Sequence, residues 1–152
     1  SSAANLGINV GGLTQSTLGG LNTRASSITV NGDVNVSAAN AYITNAGGAF
    51  SVSGAWTNRT SSTQWSFAAA ITFRAASSQT MTFTGSNLPG NEFAGAVTFD
   101  AAATAGVTYT MAAGGTGDAS LKIGGALTIL NTAAGASAAT ILAGSHYQPC
   151  SP

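Results

Sequence analysis

The residues able to do chemistry are few and scattered. The carboxylates are Asp33, Glu92, Asp100 and Asp118. Cleavage of a glycosidic bond needs two acids held across one cleft. These four fall in different stretches of the chain, and Glu92 and Asp100 are the pair near enough in sequence to approach one another. His146 is the single histidine and Cys150 the single cysteine. A Ser-His-Asp site or a zinc site therefore lacks partners. Asn31-Gly32-Asp33-Val34-Asn35 sets oxygen-bearing side chains at alternate positions, as a calcium loop does. An EF-hand would then need Gly at its sixth place and Glu at its twelfth, where Val36 and Tyr42 stand. A looser calcium site on Asp33 or Asp118 stays open; no other cofactor and no catalytic residue is expected, and the chain does not read as an enzyme. Gly11-Gly12, Gly47-Gly48 and Gly114-Gly115 are turns without the lysine of a phosphate loop. Asn35-Val36-Ser37 and Asn58-Arg59-Thr60 match glycosylation acceptors, a weak signal in a chain so rich in Asn, Ser and Thr. Cys150, between Pro149 and Pro152, reads either as an incidental thiol or as an intermolecular disulfide or anchor.

The elements that would position any site are short and repetitive. Apolar-polar-apolar triplets recur: Ile28-Thr29-Val30, Val34-Asn35-Val36, Phe50-Ser51-Val52, Trp65-Ser66-Phe67, Ile71-Thr72-Phe73, Met81-Thr82-Phe83, Val97-Thr98-Phe99, Leu121-Lys122-Ile123 and Leu127-Thr128-Ile129. Val107 to Met111 carries the alternation to five residues. Period two with β-branched and aromatic residues predicts half-buried strands. Gly, Asn, Ser and Ala clusters between them are turn chemistry. The Ala-rich runs are too short and too interrupted by Gly to nucleate helices. Strands this short and numerous suit a parallel β-solenoid. Val30, Val52, Phe73, Phe99 and Ile123 fall about 21 to 26 residues apart, one per repeat, which predicts about five degenerate coils. Phe73 and Phe99 would form part of an inward apolar ladder, and Val30, Val52 and Ile123 another part. A β-sandwich of seven to nine strands is the competing architecture.

Charge sets the limits on partners. Only 5% of the 152 residues are charged, and four basic residues balance four acidic ones, against roughly 25% charged in an ordinary domain. Four scattered cations cannot make a nucleic-acid face or bind an acidic membrane, and no apolar run is long enough for a spanning helix. A neutral surface resists association only weakly, so the chain itself is the expected partner. Residue 1 is Ser, which suits either a processed chain or an excised piece.

The stretch from about residue 28 to 130 resembles the β-strand repeats of large bacterial surface and secreted proteins, the autotransporter-associated and filamentous-haemagglutinin-like passenger regions. The resemblance is carried by Gly54-Ala55-Trp56-Thr57-Asn58, Ile71-Thr72-Phe73, Ser78-Gln79-Thr80-Met81-Thr82, Asn91-Glu92-Phe93 leading to Val97-Thr98-Phe99, and Leu121 to Ile129. It implies a right-handed parallel β-solenoid, export to the cell surface or beyond, and a stalk, adhesin or matrix role without catalytic residues.

Two surfaces then qualify as functional candidates. Thr29, Thr72, Thr82, Thr98, Thr108 and Thr128 occupy the solvent positions of their strands. Stacked, they would make an array of hydroxyls and methyls similar to the surface of β-solenoid ice-binding proteins, although Thr suits any solvated strand. At the N-terminus, Leu6, Ile8 and Val10 alternate with small or polar residues and could cap the domain or be donated to a neighbour. Residues 1–24 thus read as a capping or donor segment, 25–144 as the solenoid-like domain and 145–152 as an irregular tail. The expected function is a structural subunit of an extracellular filament, sheath or surface layer. An adhesin or phage-fibre module that meets a glycan or cell surface, and an ice-binding protein, are the alternatives.

Overall fold

The computed structural model describes residues 8–15, 19–60, 64–83, 92–103, 106–113, 121–132 and 139–142. Leu6, Asp118, His146 and Cys150, and with them the 145–152 tail, lie outside the described residues. Those described form strands and turns with no helix. In chain order the strands are β1 (Ile8–Val10), β2 (Leu13–Gln15), β3 (Gly19–Arg24), β4 (Ile28–Val30), β5 (Val34–Val36), β6 (Ala41–Asn45), β7 (Phe50–Val52), β8 (Trp56–Asn58), β9 (Ser66–Phe67), β10 (Ile71–Ala75), β11 (Gln79–Phe83), β12 (Glu92–Phe93), β13 (Val97–Ala101), β14 (Val107–Ala113), β15 (Lys122–Ile123), β16 (Leu127–Asn131) and β17 (Ala139–Leu142).

Every pairing is parallel and joins strands three places apart in the chain; of the steps this allows, β9 to β12 is not paired. One six-stranded sheet has the order β1-β4-β7-β10-β13-β16, and a second runs β17-β14-β11-β8-β5-β2. β3-β6-β9 and β12-β15 make two shorter sheets. Parallel neighbours cannot be joined by a tight hairpin and need a long crossover; here each crossover consists of two strands of the other sheets. The segment β1 to β3 pairs with β4, β5 and β6 of the same chain, so the two long sheets hold six strands where the sequence spacing suggested about five repeats.

Period-two alternation becomes inward and outward columns. Val30, Val52, Phe73 and Phe99 are Cα partners in turn down the first sheet, and all four are fully buried. Phe73 and Phe99 stack nearly parallel with centroids 5.1 Å apart, close to the ~4.8 Å spacing of paired strands, so the backbone ladder sets the ring stack. Ile123 does not belong to this column. It pairs with Phe93 in the short β12-β15 sheet, and the partner of Phe99 is Ile129. The cause is repeat length: successive members Val10, Val30, Val52, Phe73, Phe99 and Ile129 are 20, 22, 21, 26 and 30 residues apart. An even spacing therefore lands one strand too early at the last step.

The core is densest in its middle. Trp56, fully buried, meets Phe50, Trp65, Phe67, Phe73 and Phe93 edge-on, with centroids 5.6 to 6.4 Å apart. Its Nε1 has no hydrogen-bond partner among the described residues, so the ring is held by packing. Corners are closed by short polar devices. Asn45 accepts from Gly47 N–H and donates to Gly48 O. A Cβ at Gly48 would lie 1.9 Å from Ser26 O, so only glycine lets these backbones meet.

Phe73→Ala removes a ring from the centre of a buried column and leaves a cavity between two backbone ladders that cannot close. The expected loss is about 3–5 kcal/mol of unfolding free energy, measured by urea denaturation. Ser51→Ala, on the outward face of β7 next to the same column, should stay within about 0.5 kcal/mol.

Candidate functional site

The outward parity of the first sheet produces a single polar column. Asn9, Thr29, Ser51, Thr72, Thr98 and Thr128 are Cα partners in succession. Thr29, Ser51, Thr72, Thr98 and Thr128 are each half-buried, flanked along their strands by apolar residues. Parallel pairing spaces such a column by ~4.8 Å. Each Thr adds one hydroxyl, both donor and acceptor, beside one methyl. The column contains no titratable group, so it can order water or meet another neutral surface but cannot move protons.

Four of the threonines singled out by sequence, Thr29, Thr72, Thr98 and Thr128, thus come together. The other two lie on the second sheet. Thr82 falls in the column Thr14, Asn35, Thr57, Thr82, Ala112. Thr108 pairs with Thr140, and its N–H donates to Ser78 Oγ at 3.1 Å. The hydroxyl-bearing surface is therefore divided between two sheets, with the unbroken run on the first. Ile8 and Val10 pair with Ile28 and Val30 of the same chain.

The carboxylates serve as ties between strands. Asp33 Oδ1 accepts from Ala55 N–H at 2.8 Å. Among the described residues no cluster of three or more His, Cys, Asp or Glu forms. Glu92 lies on β12 opposite Lys122, whereas Asp100 lies on β13 of the first sheet, so the two do not share a cleft. Asp100 is almost fully buried. Its Oδ2 accepts from Arg74 Nε at 3.1 Å and from Thr132 Oγ1 at 2.7 Å, while Oδ1 accepts from Thr132 N–H at 2.9 Å. With both oxygens engaged, the carboxylate fastens β10, β13 and the end of β16 rather than offering a base.

Tyr109 is the matching tie inside the core. Its buried hydroxyl lies 2.7 Å from Asp100 O and 2.9 Å from Phe73 O as donor, and it accepts from Ala75 N–H at 2.9 Å. Burial pushes its pKa above the usual tyrosine value; the Ala75 N–H pulls it down and the nearby Asp100 charge pushes it up. Sequence reading missed this Arg74-Asp100-Thr132-Tyr109 group. A signal was present: Ile71-Thr72-Phe73-Arg74-Ala75 and Val97-Thr98-Phe99-Asp100-Ala101 align residue for residue, which sets a cation beside an anion.

No family model, curated protein or solved structure matches the chain.

Tyr109→Phe should leave Ala75 N–H and two carbonyls without their partner, at a cost of about 1–3 kcal/mol. The wild type should also lose stability in alkali. Below about pH 10 the tyrosine is protonated in both states. Above that the unfolded state releases its proton first, so stability falls until the raised folded value is passed. Urea midpoints at pH 8 and pH 10.5 should diverge more in the wild type than in Tyr109→Phe.

Proposed function

We propose that the chain is a right-handed parallel β-solenoid that serves as a structural, non-catalytic subunit of an extracellular filament or surface layer, built by stacking copies. The i-to-i+3 parallel pairing supports the coil over a sandwich, because two strands of other sheets pass between successive members of one sheet. The right hand follows the general rule for parallel crossovers. The likeness to bacterial β-strand-repeat surface proteins supports export and an extended, repetitive role.

The observation that carries the reading is the state of β16, the strand at the end of the first sheet. Leu127 and Ile129 continue the buried apolar columns, yet they are 52% and 47% exposed. An apolar cross-section left open in a chain with almost no charge favours association over dispersal. Negative-stain micrographs and sedimentation velocity across a hundredfold concentration range should show filaments or growing multimers. A monomer at every concentration defeats the reading.

The unbroken Asn9-to-Thr128 column favours a second reading, adsorption to ice through ordered water along that face. A thermal-hysteresis assay tests it. Activity abolished by Thr72→Lys with folding intact supports ice binding; freezing-point behaviour equal to that of a plain colligative solute rules it out.

A further inference from the structure

We infer that the joint between copies is the first sheet continued across molecules: the free edge of β16 in one copy pairs, parallel and in register, with the free edge of β1 in the next. This rests on the filament reading above and names the surface that would build it.

Among the described residues β1 has β4 as its one strand neighbour and β16 has β13, so no described strand lies against the outer edge of Ile8–Val10 or of the Leu127 to Ile129 stretch. Such an edge is a template for another strand. The residue types fit one register. Continuing the ladder would set Leu127 on Ile8, Thr128 on Asn9 and Ile129 on Val10, so apolar columns continue apolar and the polar column continues polar. That order repeats every pairing already made in this sheet, for example Val97-Thr98-Phe99 on Ile71-Thr72-Phe73. A one-residue slip would set Thr128 against Ile8 or Val10 and put Asn9 against Ile129 or Leu127, so polar and apolar columns would be broken at the joint.

Charge is compatible as well. Neither β1 nor β16 contains a charged residue, so no like charges meet, and the lysines that commonly guard free edges are missing from both. Leu130, 41% exposed on the outer face of β16, would gain cover at the rim. The second sheet matches less well: β17 ends with Leu142 opposite Thr110, one residue short of Met111, which stands in the column of Leu13 through Val34, Trp56 and Met81. The joint is therefore placed on the first sheet. Because two different edges meet, the contact is head-to-tail and does not close on itself, the geometry of a fibre rather than of a dimer.

The test combines an edge block with a covalent trap. Leu127→Lys with Ile129→Lys should lower the sedimenting fraction at least tenfold while the β-sheet circular dichroism is retained. Filaments unchanged in this variant overturn the joint but leave the filament reading standing, whereas a wild type that never assembles removes both. For the trap, Asn9→Cys and Thr128→Cys are combined in a Cys150→Ser background. Paired Cα atoms at ~4.8 Å are within disulfide reach. Oxidation by copper-phenanthroline and oxygen should give a ladder of covalent multimers on a non-reducing gel. Either single cysteine should give none. Dimers from a single cysteine, meaning like edge on like edge, or no ladder from the pair, overturn the proposal. Should the lysine variant lose its sheet signal, the ladder alone decides.

Discussion

Everything in this protein depends on the parallel backbone ladder being kept in strict register. Once Phe73 sits on Phe99 and Ile71 on Val97, parity assigns each remaining residue of those strands to the core or to water. A parallel ladder fixes the spacing of whatever it carries, so the aromatic stack within and the hydroxyl column outside have one origin. Neither needs a specific attraction between its members. The ring contacts add packing, and the threonines add a uniform surface, but the hydrogen-bonded backbone sets both distances.

Much of this was visible in the residues. Ten alternating segments, from Ile28 to Ile129, fall on strands, because period two in Val, Ile, Phe and Thr has one efficient burial solution. Which strands meet was less visible. Val30, Val52, Phe73 and Phe99 can be equated by spacing since each repeat there adds 21 to 26 residues. The step to Ile129 is longer, and Leu121-Lys122-Ile123 offers a decoy with the same pattern. Parity is a local property and repeat length is not, so alternation locates strands while leaving their partners open.

The threonine column was half legible for the same reason. Thr29, Thr72, Thr98 and Thr128 share a face because their strands pair, whereas Thr82 and Thr108 have the same parity on another sheet. The Asp100 cluster was hidden by a different habit of reading. A charged residue in a sequence points first to catalysis, whereas a buried carboxylate with three donors is a fastening. Of the four acidic residues, Asp33 and Asp100 tie backbone or neighbouring strands together.

The crowding of Trp56, Phe50, Phe67, Phe73 and Phe93 into the middle of the stack bears on how the chain folds. Every ladder contact joins residues 20 to 32 positions apart, so no pairing demands closure of the whole chain, and growth can proceed one repeat at a time from whichever segment forms first. The aromatic centre joins large, fully buried rings from several strands and is the natural place for that start. Strands added outwards from it find a template already made, and the end strands, with one neighbour each, are the last to dock and the first to fray.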